Sequence, residues 1–508
     1  MTMPIAPDFP RPLIHPPYRL SKSKFLAGLQ CDKRLFLAIH HPELATQPDT
    51  ARQAVLDMGS EVGEQARRRF PGGVLVEAGY RDARHALART AELLADPSVP
   101  AIFEGAFQFD HVLVRVDILV RIGAREDGVT EWRLIEVKSS TKVKDVHLED
   151  LSIQSYVVRG AGISLVGTGV LHVNTQYVYT GGDIDLEQLL TLRDLTDEVL
   201  ARSLAVPQRL NEMQTMLMHA SPPNLQPDHH CHTPYECPYW RHCTKDKAAR
   251  WIYHLPGSGK TATLLASKGI NLIDDIPADV TLSLVQRRVK DNVEWIDSDL
   301  AAALDEPRYP VHHLDFETFM PAIPRFSGTR PYQVLPTQWS NHIEHADGTV
   351  THSEFLCREA RDPREEFVVT LLQSLGQQGS ICVYSSYERA ILEQLAESFP
   401  SLSGDLRAVM GRLWDLYQVV KDQYYHPAFE GSYSIKSVLP AVVPSLGYDD
   451  LVVQEGSSAA HEYHRMVFEE TDWVEKERIA ESLLRYCARD TQAMLELRRA
   501  LKAKITRV

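Results

Sequence analysis

Asp315 and Glu317 stand one residue apart in the run Leu314-Asp315-Phe316-Glu317-Thr318. Val311, Leu314 and Phe316 mark the run as a strand, and alternation along a strand puts both acids on one face. Like charges on a mostly apolar strand repel and lose hydration unless a cation sits between them. A divalent metal meets that need. Far along the chain, residues 476 to 504 read as an amphipathic helix whose apolar stripe runs Ile479, Leu483, Cys487, Met494, Leu497. Asp490 stands inside that stripe, where a core residue belongs, and Tyr486 lies one turn before it. If this helix packs beside the Asp315 strand, three carboxylates converge with the tyrosine over them. A further acid is expected after the apolar run Ile381-Cys382-Val383: Glu388 at the start of the next helix, with Asp415 in Leu413-Trp414-Asp415-Leu416 as the alternative.

The first half of the chain carries a second constellation. Val112, Val114, Val116, Ile118 and Val120 read as one face of a strand, with Leu113, Arg115, Asp117 and Leu119 on the other. About twenty residues on, Trp132 to Ser140 repeats the device and presents Glu136 and Lys138 on one face. A helix over 150–158 then carries Gln154. Cys231-x5-Cys237-x5-Cys243 forms a compact aromatic and proline-flanked cluster, and Cys31 lies upstream of the acids. Closely spaced thiols in a chain with no export signal suggest metal binding rather than disulfides. Cys357, Cys382 and Cys487 read as core residues.

These motifs resemble two nuclease families. Asp-x-Glu on a first strand, a middle acid and Tyr-x-x-x-Asp on a late helix look like the DEDDy branch of the DnaQ-like exonucleases, which have a ribonuclease H fold. The segment Gly431 to Leu439 is similar to the Ser-Leu-Lys segment that precedes their final helices. That resemblance implies Asp315, Glu317, Glu388 and Asp490 as ligands of two metal ions, with Tyr486 orienting the attacking water. Asp117 followed by Glu136-x-Lys138 resembles the PD-(D/E)XK core of RecB-type nucleases. It implies metal binding by the two acids, and a lysine that stabilises or deprotonates the water. Members of that group carry a glutamine on the following helix, where Gln154 stands, and a tyrosine one turn later; Tyr156 is two residues on and points elsewhere. One cysteine before this core and three after it resemble the iron–sulfur RecB-type nucleases, including those of CRISPR adaptation. Cys31, Cys231, Cys237 and Cys243 would then hold a [4Fe–4S] cluster. Zinc is the alternative, with His229, His230, His232 and His242 as spare ligands.

The elements that must position these residues imply an α/β chain. Two mixed-sheet nuclease domains, restriction-endonuclease-like and ribonuclease H-like, are joined by a small helical connector. The expected bounds are a proline-rich arm at 1–20, the first domain at 21–250, the connector at 251–305 and the second domain at 306–508. A length of 508 residues exceeds what one core supports. No apolar run has membrane-span length, and the N-terminus lacks a basic-then-apolar signal pattern, so a cytoplasmic protein is expected. The net charge of −14 argues against non-specific coating of nucleic acid. The expected activity is nucleic-acid hydrolysis with Mg²⁺ or Mn²⁺, on single-stranded DNA in preference to RNA, with 3′–5′ trimming by the second domain. A binding scaffold with an inactive site is the alternative. Gly257-Ser258-Gly259-Lys260-Thr261 has the tail of a phosphate-binding loop but has His254 where the first glycine belongs, which leaves a P-loop NTPase the weaker reading.

Overall fold

The computed structural model describes residues 18–47, 50–79, 82–257 and 259–505; all but the last three residues of the expected N-terminal arm lie outside them. The chain has an α/β fold with mixed sheets and divides into two compact units. The first contains Val55–Asp246, the chain before Asp49 and the later segment Ala322–Tyr332. The second contains Asp49–Ala54, Lys247–Pro321 and the chain from Gln333 onward.

The sheet of the first unit has seven strands: β1 (Leu20–Ser21), β2 (Val74–Leu75), β3 (Ala101–Phe109), β4 (Val112–Ala124), β5 (Thr130–Lys138), β6 (Ser164–Val173) and β7 (Leu190–Asp194). Strands β2 to β7 lie in sequence order, and β1 joins in parallel at the start of β4, Leu20 against Val112. The helices are α1 (Lys22–Gln30), α2 (Asp32–His40), α3 (Thr50–Arg68), α4 (Ala83–Ala95), α5 (Asp145–Gly160), α6 (Leu186–Leu189), α7 (Thr196–Ser203), α8 (Val206–Leu217) and α9 (Trp240–Thr244). Val112, Val114, Val116, Leu119 and Leu134 pack with Leu151, Ile153 and Val157 of α5 and with Met213 of α8. Ile118, Ile135 and Leu171 pack in a second core with Val62 and Ala66 of α3 and with Ala322 and Ile323. Both faces of the sheet are therefore covered, which explains strands that are apolar on both.

These two cores correct the alternation expected for β4. Ile118 joins the core opposite to that of Val112, Val114 and Val116, and Leu119 joins theirs. The pleat breaks at Asp117. Between the Phe103–Ile118 and Gly105–Val116 pairs, Glu104 has a left-handed φ of 55°, which interrupts regular pairing opposite Asp117. The β4–β5 ladder also ends there, at Ile118–Ile135. Asp117 thus sits in a fork of the sheet.

The second unit opens with α10 (Gly259–Ser267), α11 (Leu284–Asp291), β8 (Trp295–Ile296) and α12 (Leu300–Asp305). Its main elements follow: β9 (Val311–Phe319), β10 (Leu335–Glu344), β11 (Val350–Leu356), α13 (Arg364–Leu375), β12 (Ser380–Val383), α14 (Tyr387–Ser398), α15 (Ser403–Met410) and β13 (Leu413–Asp415). The chain ends with α16 (Leu416–Gln423), β14 (Tyr424–Tyr425), α17 (Ile435–Val442), α18 (Gly456–Phe468) and α19 (Trp473–Ile505). The expected connector is integral to this unit: β8 pairs with β14, and the Arg288 guanidinium donates to the carbonyls of Lys421 and Asp422. Before Gly257 the chain makes a 3-10 turn, Ile252–His254, where a phosphate-binding loop needs a strand. The sheet runs β11-β10-β9-β12-β13, antiparallel for the first three strands and parallel from β9 to β13. Leu314 and Phe316 face a core with Phe367, Leu371, Ile391 and Leu406. Their alternate neighbours Asp315 and Glu317 face the other way, toward α19.

Two polar attachments hold α19 on that face. Gln338 Nε2 donates to the Leu483 carbonyl at 2.9 Å. Thr491 Oγ1 lies 2.9 Å from Ser340 Oγ and 2.7 Å from His342 Nδ1. Leu483 and Thr491 are about two helical turns apart, and Tyr486, Cys487 and Asp490 fall between them. No helix among the described residues is long and apolar enough to cross a membrane.

Candidate functional site

In the second unit β9 brings Asp315 and Glu317, α14 brings Glu388, and α19 brings Tyr486 and Asp490 to one place. Among the described residues, Asp315, Glu317 and Cys487 form the one group of three metal-ligating side chains whose ligand atoms all lie within 4.8 Å of one another. Burial pushes the Asp315 carboxyl well above its ordinary range, and Asp490, Glu317 and Glu388 push the same way. Glu317 is raised to about 8 by burial and Asp490, against the pull of Lys436. Glu388 is raised to about 7, again chiefly by burial. Asp490 reaches only about 6, because Tyr448 donates a hydrogen bond to Oδ1 and Lys436 and Tyr486 also favour its anion. Four crowded acids whose carboxyls stay raised despite Lys436 form a site suited to further positive charge.

Of the two candidates for the middle acid, Glu388 is buried and acts electrostatically on both Asp315 and Glu317. Asp415 instead caps α16, accepting from the Gln418 N–H at 3.3 Å. Lys436, at the start of α17, donates to Tyr486 Oη at 3.1 Å and lies 5.1 Å from the ring centre. Cys487 is fully buried, as a core residue should be, yet its thiol reaches Asp315 Oδ2 at 3.6 Å. Its position on the stripe that carries Asp490, three residues earlier, was the signal for that contact.

The first unit gathers Asp117, Glu136, Lys138 and Gln154 in the sheet fork. Where β5 leaves β4, the Val137 N–H donates to Asp117 Oδ2 at 2.8 Å in place of a ladder bond. Gln154 Nε2 donates to Glu136 Oε2 at 2.7 Å and to Asp150 Oδ1 at 3.0 Å. Lys138 Nζ bridges Glu136 Oε1 at 2.6 Å and Asp150 Oδ2 at 2.7 Å. Asp150 is thus a third carboxylate here. Its spacing of one helical turn from Gln154 could have revealed it in the sequence. Lys22 also reaches Glu136 Oε1, at 2.8 Å, and Asp150 Oδ1, at 3.5 Å; it gave no signal, being 114 residues from its partner. Burial alone would raise the Glu136 carboxyl, but Lys138 and Lys22 hold it well below its usual value. Asp117 is pushed to about 7 by burial and by Glu136. Tyr156 turns away and donates to Asp110 at 2.9 Å.

Cys31, Cys231, Cys237 and Cys243 line one small pocket with Lys33, Arg34, His230 and Tyr239. Cys31 both ends α1 and starts α2. Gln30 beside it donates to the carbonyls of His230 and Tyr235, each at 2.7 Å, and ties that corner to the cysteine loop. Burial raises the Cys231 thiol to about 11, and the three neighbouring sulfurs add to the shift. Of the other histidines considered as ligands, His232 is engaged with Glu236 at 2.7 Å. Elsewhere in the chain basic side chains are paired: Arg498 and Arg499 each hold Glu344 at 2.8 Å, and Arg69 pairs with Glu187.

A family model described as a domain of unknown function, DUF2779, matches residues 312–434. The match spans Asp315, Glu317, Glu388 and Asp415 and ends before Tyr448, Tyr486 and Asp490. No curated protein matches the chain.

Proposed function

We propose that this chain is a metal-dependent nuclease whose second unit removes nucleotides from 3′ ends. The carrying observation is the convergence of Asp315, Glu317, Glu388 and Asp490 around a place where the pull of Lys436 leaves all four carboxyls raised, with Tyr486 beside them. That donor set fits Mg²⁺ or Mn²⁺, which prefer carboxylate oxygens. Bound there, the ions would polarise a phosphodiester and lower the pKa of water. Asp315, Glu317, Glu388 and Asp490 would hold them. Tyr486, with its hydroxyl held by Lys436 and its proton made hard to remove by burial and Asp490, would serve as a hydrogen-bond donor that orients a water.

In the first unit Asp117, Glu136 and Asp150 would bind metal, Lys138 would steady the attacking water and Gln154 would fix the Glu136 carboxylate. The four cysteines would hold a [4Fe–4S] cluster. A tetrahedral zinc site sets its sulfurs about 3.8 Å apart, given Zn–S near 2.3 Å. Zinc remains the alternative occupant of the four thiols, which line one pocket. Single-stranded DNA is the proposed substrate, with RNA second. The scaffold reading draws support only from the first site, where two lysines already occupy the Glu136 carboxylate. End-labelled single-stranded DNA and RNA incubated with Mn²⁺ test the proposal. Stepwise 3′ shortening that disappears with Asp315→Asn supports it, and intact products from every substrate would refute it.

A further inference from the structure

The first acidic site already contains a cation that belongs to the protein. Lys138 alone satisfies Glu136 Oε1 and Asp150 Oδ2. Lys22 adds a second ammonium to the same Glu136 oxygen, so two like charges crowd one acceptor. The carboxylates lie beneath: their side chains are 2% and 5% exposed, against 23% for Lys22 and 24% for Lys138. The lysines therefore stand on the solvent side of the acids.

The backbone and the side chain of Lys22 are held very differently. Its backbone follows Leu20 and Ser21, which are paired to β4, the strand of Asp117, with the Leu20 N–H donating to His111 at 3.0 Å. Leu20 is buried, and Ser21 caps α1. The ammonium rides on four rotatable carbons of a side chain that is half-buried as a whole. A fixed base with a swinging head suits a charge that must sometimes leave. Its present place, in contact with Glu136 and Asp150 and acting on Asp117, is where a divalent ion shared by those acids would stand.

We propose that the Lys22 ammonium is a displaceable counter-cation of the first acidic site, keeping a divalent ion's place until one enters. This rests on the metal-dependent reading of that unit. Lys22 and the ion then compete for the same oxygens, so the lysine weakens metal binding while it stabilises the metal-free fold.

The test uses the full chain with Asp315→Asn and Asp490→Asn, which silence the second site, and follows Mn²⁺ binding by calorimetry and thermal melting. Lys22→Met is expected to tighten Mn²⁺ binding at least about tenfold, since one positive charge at contact distance is removed. The same variant should melt lower without metal and show a larger Mn²⁺-induced rise. Lys22→Arg should bind Mn²⁺ no more tightly than the parent. Lys22→Gln, which keeps a donor without the charge, replaces the methionine variant if that one fails to fold. Equal or weaker Mn²⁺ affinity in a folded neutral variant, with parent binding abolished by Glu136→Gln, overturns the role of Lys22 alone. Absence of Mn²⁺ binding in the parent and in every Lys22 variant overturns this proposal together with the metal-dependent reading of the first unit.

Discussion

In the first unit three carboxylates meet two lysines whose Nζ atoms stand 2.6 to 2.8 Å from Glu136. In the second, four carboxylates meet Lys436, which is occupied with Tyr486 Oη and the Gln454 carbonyl. The consequence is visible in the acids. Glu136, which both lysines touch, is held well below its ordinary pKa while Asp117 and Asp150 beside it are raised; in the second site Asp315, Glu317, Glu388 and Asp490 are all raised. The first site places two ammonium groups directly on one acid; the second has Lys436 acting on its acids without contact. The same residue types thus yield a site in which contact lysines keep one acid ionised and a site in which none is kept so, depending on where the lysines fall.

Substitutions in each site should break this contrast if it is wrong. The largest expected effect is on activity: Asp315→Asn, and separately Glu388→Gln, should lower 3′ trimming about 10³-fold, the scale of removing one preorganised electrostatic group. End-labelled DNA assays read it, and a drop below tenfold would remove Glu388 from the site. Next is stability. Lys138→Met should lower unfolding free energy by about 3 kcal/mol, because it strands buried carboxylates. Lys436→Met should change it by less than about 1 kcal/mol. Urea unfolding of both variants compares them directly.

Dependence on pH sharpens the comparison further. A carboxylate raised on folding contributes its stability below the unfolded pKa, near 4, and loses it as pH rises through the folded value. For Asp490, Glu388 and Glu317 those values are about 6, 7 and 8. The metal-free second unit should therefore lose thermal stability between pH 5 and pH 8, with Mn²⁺ restoring it; a flat melting profile in chelator contradicts the arrangement. On trimming, the smallest effect is that of Asp415→Ala. It should remove a helix cap at about 1 kcal/mol and leave trimming intact.

The second site was the more legible in sequence because both of its signals are periodic. Asp315 and Glu317 follow strand alternation, and Asp490 interrupts a helical stripe, so each position was fixed by the elements that flank it. The polar clamps Gln338 and Thr491, which hold α19 in register, have no local pattern. The first site was legible only in part. Glu136 and Lys138 kept their alternation, but at Asp117 the pleat breaks opposite Glu104, a left-handed residue that composition does not announce. Asp150 was hidden among ordinary helix residues, and Lys22 acts across 114 positions of chain. The four thiols were readable as a set, since their spacing is compact and only Cys31 needed to be brought from a distance. Segment Ala322–Tyr332, which supplies Ala322 and Ile323 to the core of the first unit, comes from between two strands of the second, and linear order gives no hint of it.

Helix α1 joins two kinds of chemistry within about 14 Å of rise, nine residues at about 1.5 Å each. Its first residue, Lys22, touches the acids, and the residue that ends it, Cys31, faces the other three sulfurs. One short helix thus carries a contact of the acidic site at one end and a corner of the thiol cluster at the other, so a shift at either end of α1 is felt at both.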